Sequence, residues 1–144
     1  MKRFAVALLA VTLLSGAPVA PQMTVYKTAT CGCCAKWVEH LKTAGFRVKV
    51  VEVASTAEAR AKAGISEKYA SCHTGVIDGY AIEGHVPAAD IKRLLKDKPA
   101  AKGLAVPGMP MGSPGMEGPY SEAYNVLLIT TDGSKVFQKY AGSR

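Results

Sequence analysis

Four cysteines set the chemistry open to this 144-residue chain. Cys31, Cys33 and Cys34 fall within "TATCGCCAKWVEH", and Cys72 stands beside His73 in "SCHTGVIDGYAIEGHV". Cys31 and Cys34 have the C-x-x-C spacing of dithiol–disulfide exchange. With the extra thiol of Cys33 the same run is a clamp for a soft metal ion, which thiolates select. Spacing alone does not choose between them. Pairing all four as structural bridges fits poorly. Only one of the clustered cysteines easily reaches Cys72, and a bridge between the neighbours Cys33 and Cys34 is strained. A single structural bridge from Cys72 to Cys31 or Cys34 stays open.

Further donors lie downstream. Met109, Met111 and Met116 occupy "PGMPMGSPGME", a Gly/Pro stretch with no apolar periodicity to make them core. Thioether and thiolate together select Cu(I), and thioether survives oxidising conditions. A gap-filling role is the alternative for each methionine. His73 and His85 offer imidazole nitrogen, with hydrogen-bonded turn or strand-end roles as the alternative. His40 lies two helical turns from Cys33, about 10 Å away, and reads as a surface residue. A Cys₃His zinc site is disfavoured, because zinc clamps space their cysteines more widely than C-x-C-C. Adjacent thiolates bridge several Cu(I) ions more readily.

These residues need elements to hold them. "MTVYKTAT" reads as a strand, and "AKWVEHLKTAGF" as a helix with Trp37, Val38, Leu41 and Ala44 at helical spacing and Gly45 at its end. "RVKVVEV" is a second strand and "TAEARAKAGI" a short helix. Asp78-Gly79 marks a turn between two short strands. "PAADIKRLLKDK" starts a helix at Pro87. Next comes a loop of about two dozen residues, a length that is usually functional or disordered. Asp132-Gly133 then centres a terminal hairpin. The order β-α-β-(α)-β-β-α, loop, hairpin gives an α/β fold. Its first βα connection carries the cysteines, so Cys34 opens a helix whose dipole lowers thiol pKa.

Strand–CxxC–helix followed by "HTGVIDGYAIEG" resembles the thioredoxin–glutaredoxin superfamily. The resemblance implies a thioredoxin-like sandwich, a mixed sheet with flanking helices. It also implies that Cys72 and His73 face Cys31 and Cys34, with His73 where redox members carry a cis-proline. That departure puts ordinary disulfide exchange in doubt and favours metal. Taken together, "TATCGCCAKWVEHL", "SCHTGVIDGYAIEGHVP" and "PGMPMGSPGME" resemble the exported CopG-type copper-resistance proteins from about Met23 to Tyr140. This second resemblance implies a copper site, for one or several ions, built on Cys31, Cys33, Cys34, Cys72 and His73. It extends to His85 and to the methionine loop. It also implies cycling between Cu(I) and Cu(II).

The ends place the protein. Lys2 and Arg3, an apolar run "FAVALLAVTLL" and the small residues "SGAPVA" read as a secretory leader over residues 1–20. Residues 21–144 then form one thioredoxin-like metal-binding domain. The expected location is the periplasm, with membrane attachment only if the leader stays uncleaved. The formal charge is +7, but the basic residues are scattered rather than interleaved with aromatics. That pattern argues against nucleic acid. The expected partners are copper ions and, beyond them, a copper exporter or a periplasmic redox partner. The leading expectation is a copper protein of resistance or homeostasis, with copper oxidoreductase activity as an extension. The alternatives are a thiol–disulfide enzyme using Cys31 and Cys34, and an exported structural domain with inert thiols.

Overall fold

The computed structural model describes residues 21–143, so the leader-like segment lies outside the described residues. Strand β1 (Gln22–Lys27) leads through the cysteine loop into α1 (Gly32–Thr43), and β2 (Arg47–Glu52) returns parallel to β1. A short helix α2 (Ala57–Lys62) and a 3-10 turn at Glu67–Tyr69 lead to β3 (His73–Ile77) and β4 (Tyr80–Glu83). Helix α3 (Ala88–Asp97) precedes β5 (Gly103–Ala105), and β6 (Tyr124–Thr130) and β7 (Gly133–Tyr140) close the chain. The sheet order is β2-β1-β3-β4-β5-β6-β7. β1 runs parallel to β2 and antiparallel to β3, so the sheet is mixed, as the resemblance to the thioredoxin–glutaredoxin superfamily implies.

Local chemistry fixes these boundaries. Asp78 and Gly79 both take positive φ, as a tight hairpin turn requires. Helix α1 ends in a Schellman motif. Gly45 has φ +93°, its N–H donates to the Lys42 carbonyl, and the Phe46 N–H donates to the Leu41 carbonyl. Trp37, Val38 and Leu41 of α1 and Ile91 and Leu94 of α3 pack on one sheet face against Met23, Val25, Ile82, Leu104 and Val126. Burying each such side chain is worth about 1.5–3 kcal/mol. Ile65 and Tyr69 cover the other face over Ala81, Ala105 and Ile129.

One element and one residue differ from expectation. The long loop contains β5, which pairs parallel with β4 and antiparallel with β6. Three residues are too few for alternation to reveal a strand among prolines and glycines. His40 is half-buried rather than a surface residue, and its Nε2 accepts the Ala88 N–H at 3.1 Å. It thus satisfies a free donor at the start of α3, where Pro87 as N-cap offers no side-chain oxygen. Among the described residues no helix is long and apolar enough to cross a membrane.

Candidate metal centre

Register brings the donors to one end of the sheet. Lys27, the last residue of β1, pairs with His73, the first of β3. The loop that leaves β1 therefore meets the loop that enters β3, and Cys31–Cys34 lies beside Cys72. Thr74 pairs with Glu83, the last residue of β4, so His85 emerges at the same end. β5 runs parallel to β4, so the methionine loop starts there too.

Cys31 and Cys34 are joined as a disulfide, leaving Cys33 and Cys72 free. A bridge from Cys72 to either of them, open on sequence, is thus not the pairing adopted. Cys31 is the N-cap of α1, and its Sγ accepts the Cys34 N–H at 3.3 Å. Cys33 Sγ stands 3.6 Å from Cys31 Sγ and 3.9 Å from Cys72 Sγ. The four sulfurs lie within 4.8 Å of one another, and so do the donors of Cys72, His73 and His85. Cys72 belongs to both groups.

Both histidine tautomers follow from their hydrogen bonds. His73 Nε2–H donates to the Gly84 carbonyl at 3.0 Å, leaving a lone pair on Nδ1, 3.3 Å from Cys72 Sγ. His85 Nδ1–H donates to the Pro114 carbonyl at 2.8 Å, leaving a lone pair on Nε2, 3.1 Å from the same sulfur. Such carbonyl partners are how metal-ligating histidines are oriented. A Cys72 thiol has one proton and faces two lone pairs. One fully buried imidazole nitrogen is therefore left without a donor from Cys72. A cation would satisfy both nitrogens and the sulfur together, so the donor chemistry fits a metal ion.

Burial favours the neutral forms of Cys72, His73 and His85 when no ion is bound. It pushes the Cys72 thiol up to about 12, with nearby Cys33 adding to the rise. Burial also lowers His73 to about 3, helped by the neighbouring His85 ring. His85 is lowered by burial as well, against the opposing pull of its Pro114 carbonyl and Glu117.

A supporting shell fixes the rings and the Cys72 loop. His73 lies against Trp37, its ring tilted by 35° at 4.2 Å between centroids, and meets His85 edge-on at 4.9 Å. Trp37 Nε1–H donates to the Val86 carbonyl at 2.9 Å. Glu83, fully buried, accepts from the Ser71 N–H at 2.8 Å, Arg60 Nε–H at 2.9 Å and the Thr74 hydroxyl at 2.6 Å. Arg60 also donates to the Ser71 carbonyl at 3.0 Å, so both backbone groups of Ser71 are gripped. Sequence reasoning missed this Arg60–Glu83 pair. Its only signal is an arginine in an otherwise alanine-rich helix and a glutamate ending a strand.

The methionine loop sits against the centre through its backbone. Gly115 has φ +89°, and a Cβ there would lie 2.7 Å from the Cys33 carbonyl oxygen and 2.9 Å from the Trp37 nitrogen. Its N–H donates to Glu117 Oε1 at 2.7 Å. Ser71 Oγ–H donates to the Gly108 carbonyl, and the Gly108 N–H donates to the Ala70 carbonyl at 3.0 Å. Met109 is 51% exposed, while Met111 and Met116 are half-buried. Met111 Sδ lies beside Gly118.

The fold and centre define a thioredoxin-like chain with a partly buried cysteine–histidine cluster suited to a soft or borderline metal ion. Two solved structures of the copper resistance protein CopG, form 2 and form 1, resemble it. They share 44% and 45% sequence identity with TM-scores of 0.80 and 0.79, covering 85% of this chain and 99% of each of those chains. The chain belongs to the CopG family. A family model described as a protein of unknown function, DUF411, matches residues 69–116, from the Cys72 loop to the last methionine. No curated protein matches the chain.

Proposed function

We propose that this protein binds copper in the periplasm as part of copper resistance or homeostasis. The observation that carries the reading is the convergence on Cys72 of three further cysteine sulfurs and two imidazole lone pairs. Soft thiolates favour Cu(I), whereas imidazole also suits Cu(II). The mixed set therefore supports cycling between the two states, one electron passing to or from a periplasmic redox partner. The relatives' description as copper resistance proteins supports the choice of copper over zinc. The leader pattern of residues 1–20 supports export, and a copper exporter is the natural recipient. Met109, Met111 and Met116 contribute thioethers from the loop seated on Cys33, Trp37 and His85.

Metal analysis tests this. Protein reduced and loaded anaerobically takes up Cu(I), and Cys33→Ser lowers the copper-to-protein ratio. No copper uptake, or an unchanged ratio in Cys33→Ser, overturns the reading.

One observation favours a second reading. Cys31 and Cys34 form a disulfide at the N-terminus of α1, where exchange-active pairs sit. A thiol–disulfide enzyme requires these two and not Cys33. Strong metal-free insulin reduction that survives Cys33→Ser would decide for it.

A further inference from the structure

The two donor groups meet at Cys72 but respond differently to the disulfide. With Cys31 and Cys34 paired, the sulfur group keeps only Cys33 and Cys72 as thiols. The group of Cys72, His73 and His85 loses nothing. Two ligands of one tetrahedral ion, with metal–sulfur near 2.3 Å and metal–nitrogen near 2.0 Å, stand roughly 3.5 Å apart. The sulfur–nitrogen separations here are 3.1 and 3.3 Å. Neither ring needs to turn to present its lone pair. Each is pinned by a carbonyl on its other nitrogen, and His73 is also held against Trp37. Both histidines are fully buried, and one of their two lone pairs has no proton from Cys72 to accept.

Resting on the copper reading, we propose that Cys72, His73 and His85 form a self-contained site for a single borderline divalent cation. The site is complete while Cys31 and Cys34 are paired. One thiolate and two imidazoles suit zinc(II) or copper(II) rather than Cu(I). Opening the pair changes the selection. An external dithiol delivers two electrons, the Cys31–Cys34 bond breaks, the dithiol closes to its own disulfide, and its two protons end on Cys31 and Cys34. Two further thiolates then become available beside Cys33 and Cys72, and the centre turns toward Cu(I). The state of one disulfide thus decides which ion the protein takes.

Cobalt(II), a spectroscopic stand-in for a divalent ion, tests the site. The probes are oxidised wild type, with only Cys33 and Cys72 titrating as thiols, and a Cys31→Ser/Cys34→Ser chain. Serine at the N-cap position preserves α1. Each is expected to bind one cobalt ion with a thiolate-to-cobalt charge-transfer band. That band is lost in His73→Gln/His85→Gln, and zinc(II) competes the cobalt away. Reduced wild type is expected to take up more Cu(I) than the double-serine chain. Binding of no divalent ion by the oxidised chain, or binding that survives loss of both histidines, overturns the proposal. If reduced wild type takes up Cu(I) while the oxidised chain takes no divalent ion, the copper reading stands and this site falls. If reduced wild type takes up no Cu(I), the copper reading itself falls.

Discussion

His73 shows how much one side chain can carry. Its ring is fully buried, packed against Trp37, and fixed by the Gly84 carbonyl with its lone pair on Cys72. Such a ring must stay neutral in the metal-free fold, and its pKa falls from the ordinary 6.5 to about 3. The sign follows from proton counting. Between those values the unfolded chain binds a proton on His73 that the folded chain refuses. Stability is therefore full above about 6.5 and is lost as the pH falls toward 3. The loss is on the order of a few kcal/mol. Thermal unfolding of the metal-free protein between about pH 7 and pH 4 checks this. Melting temperature should fall with acidification, and less steeply in His73→Gln. A level profile in wild type would count against the buried neutral ring. The sequence named His73 as a ligand but could not supply its partners. Gly84 and Trp37 reach it through strand register and helix packing, which no local pattern encodes.

Among the elements, those with a strong period or turn signature were readable. The spacing of Trp37, Val38 and Leu41 marks α1, and Asp78-Gly79 and Asp132-Gly133 mark two hairpins. β5 was not, because Gly103–Ala105 is defined by its neighbours in the sheet rather than by its own residues. The loop between β5 and β6 was recognised for its methionines, yet its firmest contacts with the centre are made by backbone. The Pro114 carbonyl orients His85, and Gly115 lies where only a missing Cβ permits. A Gly115→Ala change meets both a left-handed φ and the backbone of α1 at Cys33 and Trp37. Backbone strain alone costs about 1–2 kcal/mol, and the loop must also back away from Cys33 and Trp37. Losing the carbonyl that orients a ligand typically weakens metal affinity by about 10–100-fold. Gly108→Ala is the control, since Gly108 also has a positive φ (+69°) but open space around its would-be Cβ. Competition against a Cu(I) chelator should show weakened binding in Gly115→Ala and near-native binding in Gly108→Ala. Equal losses in both would mean that loop strain, not the seat on the centre, governs affinity.

The C-terminal hairpin ties the loop to the rest of the molecule. The loop is held at both ends by the sheet, leaving β5 and rejoining at β6, and β6 is backed by β7. β7 in turn docks on α3. Tyr140 Oη–H donates to Asp90 Oδ2 at 2.7 Å, Arg93 donates to the Phe137 carbonyl at 2.8 Å, and Tyr124 stacks on Tyr140 at 4.8 Å. Burial raises Tyr124 to about 12, with Asp90 adding to the rise. Tyr140 moves up as well, through burial first and then its bond to Asp90, while Arg93 opposes the rise. Both phenols keep their protons in the folded state at pH values where an unfolded tyrosine, near 10, has lost its own. Their contribution is therefore complete below about pH 10 and is lost as the pH rises toward 12. Alkaline titration followed by tyrosinate absorbance and thermal melting should show the hairpin weakening over that interval. Tyr140→Phe keeps the ring stack and removes one titrating phenol, so its alkaline loss should be smaller. Because the hairpin backs the strand at which the methionine loop ends, metal affinity measured over the same interval should decline with hairpin stability, and Tyr140→Phe should blunt that decline too. An alkaline loss of stability identical in Tyr140→Phe and wild type would remove the Tyr140–Asp90 contact as its cause.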